Sequence, residues 1–131
     1  MIDLTKWSNW HFRLLSILWT IIIFYLTLAP DDGGQSWYSS IPHFDKLAHI
    51  GLFFIWSVFL MLNFRTSENI SAKNVTTVIG IGLLLGGLTE YLQGFVEGRN
   101  EDLSDFVADS MGIGLGIFFT FLAKKNDYLM Y

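Results

Sequence analysis

Cysteine is absent from this chain, which removes disulfides, thiolate nucleophiles and cysteine-ligated metal sites at one stroke. Charge is sparse, at 15% of residues, and eight Lys and Arg face twelve Asp and Glu for a formal net charge of −4. With no basic stripe, the charge balance argues against a nucleic-acid partner, and none is expected. Catalytic signatures are missing too. There is no His-Glu-x-x-His, and Ser104 and Ser110 do not sit in a nucleophile-elbow sequence, so serine hydrolysis is not expected. Proline occurs twice, at Pro30 and Pro42, both in one loop. No internal repeat, linker or low-complexity tract interrupts the 131 residues.

What remains is apolar. Hydrophobic residues make up 52% and aromatics 17% of the chain, and the mean hydropathy is positive, too apolar for an ordinary soluble domain of this size. Four stretches have little or no charge: residues 12–29, 47–64, 75–95 and 106–123. A membrane-crossing helix needs about 20 mostly apolar residues, so each stretch reads as a span. The first is read as a retained span rather than a cleaved signal peptide, because its leader is long and aromatic and three spans follow. Short connections make neighbouring helices antiparallel. The expected fold is therefore all-α: a polytopic membrane protein, one domain over residues 1–131, built as an antiparallel bundle of four transmembrane helices.

The basic residues orient it. Lys6, Arg13, Arg65, Lys73, Lys124 and Lys125 fall on one side, and only Lys46 and Arg99 on the other. The positive-inside rule then puts both termini in the cytoplasm. Nine of the twelve acids, from Asp31 to Asp109, gather toward the outer side, where Trp37 and Tyr38 read as interfacial anchors. Gly82 and Gly86, and Ala108, Gly112 and Gly116, recur every four residues and mark close helix contacts.

Three spans carry an ionisable residue toward their outer end. His49 is sixteen residues from Arg65, Glu90 sixteen from Asn74, and Asp109 fifteen from Lys124. At 1.5 Å per residue these are roughly 22–24 Å from the inner end, one depth on three helices. Helical spacing also groups Asp45 with His49, Glu90 with Gln93 and Glu97, and Asp102 with Asp105 and Asp109. Such groups are costly in a bilayer and usually face the bundle interior or a watery cavity, where they mark a site. The expectation is an outward-facing polar pocket.

Within it, His49, Glu90 and Asp105 are the candidate acid/base groups, since His titrates near neutrality and a nearby carboxylate can orient it. The plainer reading of His49 is a satisfied buried histidine. Asp45, Lys46, Gln93, Arg99, Asp102 and Asp109 are candidate binding residues. Arg99 offers a planar fork for a carboxylate or phosphate, or else pairs with Asp102 or Asp105 and ties down the loop. Lys46 and His43 read most simply as solvated or interfacial, with headgroup contact the functional alternative. His with carboxylates can hold zinc, manganese or calcium, but no diagnostic metal spacing occurs.

"DKLAHIGLFFIW" and "TEYLQGFVEGRNEDLSDFVADSMGIGLG" together resemble the VanZ-like membrane proteins, a family named for a teicoplanin-resistance accessory protein. The resemblance rests on Asp45, Lys46, His49, Glu90, Gln93, Arg99, Asp105, Gly112 and Gly116 and covers about two thirds of the chain. Asp109 stands where the family usually has Asn, and Glu97 and Gly98 replace a common Pro-Gly pair. The resemblance implies a bacterial inner-membrane protein of the cell envelope, linked in some members to glycopeptide resistance, and no settled reaction. The functional expectation is a pocket that recognises a lipid-linked or envelope-related ligand, with membrane lipids and a lipid-linked precursor or glycopeptide as partners. An alternative is a membrane-embedded enzyme using acid/base chemistry on a lipid or precursor headgroup. A small transporter is less favoured, because the first two spans carry no inner-half ionisable residue to continue a relay.

Overall fold

A computed structural model describes residues 8–30, 43–64 and 70–125. Lys6, Asp31, Asp32, Trp37, Tyr38 and Arg65 lie outside them. Among the described residues, four helices follow one another: α1 Asn9–Thr27, α2 Phe44–Leu62, α3 Ala72–Gln93 and α4 Leu103–Lys125. All four are long and apolar enough to cross a membrane, at 19 to 23 residues. At 1.5 Å per residue they measure about 28 to 35 Å, against a hydrocarbon core of about 30 Å. The protein is a multi-pass, all-helical membrane bundle.

Each helix starts about three residues before its apolar stretch, because capping residues are polar. Ser71 precedes α3 and its hydroxyl accepts the Asn74 N–H at 3.2 Å. Asp102 does the same for α4, accepting the Ser104 N–H at 2.8 Å, with Asp105 adding a carboxylate in the first turn where the helix dipole favours one. α3 also ends earlier than expected, at Gln93, so Glu97 is in the turn that follows rather than on the helical face of Glu90. That turn needs Gly98, whose φ of 77° belongs to the left-handed region open to glycine.

The bundle is apolar outside, and its interior combines buried polar residues with an apolar cluster. Among the described residues, exposed large apolar side chains such as Ile21, Leu84, Val107 and Phe118 cover the lipid-facing surface. Buried positions include Ser16, His49, Ser57, Thr89, Glu90, Gln93, Asp105, Asp109 and Thr120. An apolar core of Ile23, Phe53, Trp56, Met61, Val78, Leu85, Ile113 and Ile117 fills the middle. α2 and α4 form the most intimate pair. Their backbones close up where α4 carries Gly112 and Gly116, since a Cβ at Gly112 would meet the Ile50 carbonyl and one at Gly116 would meet Ser57 and the Phe54 carbonyl. Small residues four apart serve this purpose in membranes, where apolar burial itself drives no helix association.

α1 is held by hydrogen bonds as well as packing. Trp19 donates its indole N–H to the Leu52 carbonyl, and Trp56 donates to the Thr20 hydroxyl, both at 2.9 Å. These tie α1 to α2 away from the polar end of the bundle.

Candidate functional site

The polar end is where α2 and α4 begin and α3 finishes. His49 enters from the second turn of α2, Glu90 from the last turn of α3, and Asp105 and Asp109 from the first two turns of α4. Antiparallel packing therefore brings together residues that the sequence separates by as much as sixty positions. His49 Nδ1 lies 2.8 Å from Asp109 Oδ1, and both side chains are almost fully buried. Gly86 on α3 makes room for that carboxylate, since a Cβ there would sit 3.0 Å from Asp109 Oδ2.

Lys46, one turn above His49, organises a second set. Its ammonium donates to Asp105 Oδ1 at 2.9 Å and Asp102 Oδ2 at 3.0 Å, with Asp45 at 3.7 Å. It is thus the counter-ion of this acidic set while remaining 30% exposed, a pairing that its sequence position alone does not show. Asp102 also accepts from the Ser104 hydroxyl at 2.6 Å, while its own backbone N–H donates to Glu90 Oε2 at 3.1 Å. Just outside the helices, the Asp102 carboxyl is held well below the usual carboxylate range, first by the Ser104 hydroxyl, then by the Ser104 amide and Lys46.

Two expected members turn elsewhere. Gln93 is buried, but its amide donates to the Thr27 carbonyl at 2.9 Å, so it clasps the end of α1 instead of joining Glu90. Arg99 Nε donates to the Ala29 carbonyl at 3.2 Å, and among the described residues it makes no ion pair with Asp102 or Asp105. It does tie down the loop, through α1's exit rather than through acids.

One ligand-type atom each from His49, Glu90 and Asp109 lies within 4.8 Å of the other two, and Asp45, His49 and Asp105 form an overlapping triplet. Beside them, a cleft of about 320 Å³ opens between the end of α3 and the start of α4. Gly87, Leu103 and Phe106 give it an apolar wall; Glu90, Glu101 and Asp102 give it an acidic one. Glu101 was not singled out from sequence, and its only signal is its place in an acid-rich turn that folds back on Gly94.

The profile of the VanZ/LLP1 family matches residues 5–124, and so takes in every element of this site. The chain belongs to the VanZ/LLP1 family. An uncharacterized protein of Schizosaccharomyces pombe is 30% identical over 111 residues, which is 84% of this chain. The chain spans 62% of the length of that relative. No solved structure matches it.

Proposed function

We propose that the protein uses its polar end to recognise the headgroup of a membrane lipid or lipid-linked precursor, at the outer face of a bacterial cytoplasmic membrane with both termini inside. The observation that carries this is the cleft itself. One wall is apolar enough to take acyl chain or lipid linker, and the other is formed by Glu90 in the last turn of α3 with Glu101 and Asp102 in the turn beyond it. A single pocket of this two-sided chemistry suits an amphiphile entering sideways from the bilayer. Its acids favour a head bearing hydroxyls or an amine, such as a sugar or amino-alcohol, over a bare phosphate. Accessory action in glycopeptide resistance would be one use of such a site. A relative in a yeast favours a lipid head over a glycopeptide as the ligand.

The test is native mass spectrometry of the detergent-purified full chain after exposure to a bacterial lipid extract. Selective retention of one lipid class, reduced in Glu90→Gln and Glu101→Gln, is the expected result. Retention that tracks lipid abundance and is identical in both variants would defeat the proposal.

The enzyme reading draws on one specific feature, the 2.8 Å contact between His49 and Asp109, in which a carboxylate fixes an imidazole as a general base requires. Asp105 is tied to Lys46, which leaves Glu90 and His49 as the acid/base pair. Conversion of a retained lipid in the same experiment, abolished in His49→Ala, would select this reading.

A further inference from the structure

Deeper than the cleft, we infer that His49, Glu90 and Asp109 bind a divalent transition-metal ion, of the Zn²⁺ or Mn²⁺ type, inside the bundle. The ligand atoms are already gathered, one from each of three helices, within 4.8 Å of one another. Two of them have an unused coordination position. Glu90 Oε1 and Asp109 Oδ2 are buried and accept no hydrogen bond, although the residues are only 8% and 1% exposed. A buried carboxylate oxygen without a donor is expensive, more so in a bilayer where no water replaces the missing partner.

The other oxygen of each carboxylate is held in place. Glu90 Oε2 accepts the Asp102 backbone N–H, and Asp109 Oδ1 faces His49 Nδ1. One fixed oxygen and one free oxygen per carboxylate is how outer contacts orient a metal ligand.

Charge points the same way. Lys46 is committed to Asp105 and Asp102, and Arg99 reaches back to Ala29. Among the described residues, no Lys or Arg forms an ion pair with Glu90 or Asp109, so two acids share one imidazole. A doubly charged cation neutralises both carboxylates and leaves the imidazole neutral, the form that ligates. The donor set selects the metal. One nitrogen and two carboxylates, without thiolate, suit zinc or manganese; calcium takes six to eight oxygens, and magnesium keeps most of its waters. The cleft that Glu90 lines supplies an entry path.

The experiment uses the full chain in detergent, stripped with chelator and titrated with Zn²⁺ or Mn²⁺ by calorimetry, with bound metal counted by elemental mass spectrometry. One ion per chain is expected. Glu90→Gln and Asp109→Asn, which keep side-chain shape, should each weaken binding by about 100-fold or more, beyond the 10–100-fold typical of outer-contact changes. Gly86→Ala removes no ligand but presses on Asp109 Oδ2, and should weaken binding too; Gly114→Ala, which meets nothing, should not. Circular dichroism and gel filtration establish that the variants are folded. Independently, pulsed electron paramagnetic resonance of the Mn²⁺ form should show one coupled imidazole nitrogen, lost in His49→Ala. Binding that survives Glu90→Gln and Asp109→Asn unchanged, or none beyond the detergent blank, overturns the inference. Lipid retention does not enter the readout, so it can fail while headgroup recognition stands, and the reverse.

Discussion

Replacing Gly112 with alanine tests whether the α2–α4 contact is what positions the site. A Cβ at this position would meet the Ile50 carbonyl oxygen, and it would lie 3.0 Å from the Phe54 nitrogen and 3.1 Å from Phe53 Cβ. The first two are backbone atoms, which cannot rotate aside, so relief requires the helices to separate. Overpacking a core typically costs about 1–3 kcal/mol, and a backbone obstruction argues for about 3. Gly114→Ala is the matched control on the same helix, because its Cβ meets nothing within 4 Å. There the change should be neutral or stabilising by about 0.5–1 kcal/mol, from the helix preference of alanine over glycine. The two variants add the same methyl, so a difference of about 3–4 kcal/mol isolates the close approach. Unfolding in mixed micelles with rising dodecyl sulfate, followed by tryptophan fluorescence, reads it directly. Separation should also lengthen the 2.8 Å contact of His49 and Asp109 and lower metal affinity in parallel. Equal unfolding midpoints for the two variants would refute the packing account.

Lys46→Met strands Asp105, 8% exposed, without its counter-ion; because Lys46 itself is 30% exposed, the cost is expected at about 2 kcal/mol rather than the larger loss of a fully buried pair. Adding Asp105→Asn should recover most of it in a double-mutant cycle on unfolding midpoints. Asp102 has its carboxyl pKa lowered by folding, so its stabilisation is complete above the unfolded value near 3.8 and is lost as acid protonates the folded group. Asp102→Asn keeps a capping oxygen but should flatten the acid limb of a stability profile measured from neutral to acid pH. Gln93→Leu keeps the bulk of the side chain and removes the bond to the Thr27 carbonyl; a loss of about 1 kcal/mol, with faster proteolysis near Ala29, is expected.

Much of this architecture was legible because membrane helices obey two simple rules. Length and apolarity marked four spans, and constant rise per residue put His49, Glu90 and Asp109 at one depth, where the structure does bring them within 4.8 Å. The helix starts were less legible, since Ser71 and Asp102 act as caps by being polar and so fall outside any apolar window. The small residues of α4 were legible as contacts. Their partner was not, because a glycine says that something approaches closely and not which helix does so.

Azimuth around the bundle is the harder quantity. Glu90 and Gln93 are three residues apart, about 60° offset on a helix of 3.6 residues per turn, and that offset is enough to send one toward Asp102 on α4's cap and the other to Thr27 on α1. Lys46 and Arg99 differ in the same way. Arg99 carries the fork best shaped for a carboxylate, yet it sits in the loop beside the end of α1, where the Ala29 carbonyl is the acceptor in reach. Lys46, a poorer match by shape, starts α2 opposite the first turn of α4 and so has both Asp102 and Asp105 within 3.0 Å. Position decides the pairing before side-chain preference does. The same reasoning explains why the unused oxygens of Glu90 and Asp109 carry information: position has left both buried without a hydrogen-bond partner, on residues that each bring a ligand-type atom within 4.8 Å of His49.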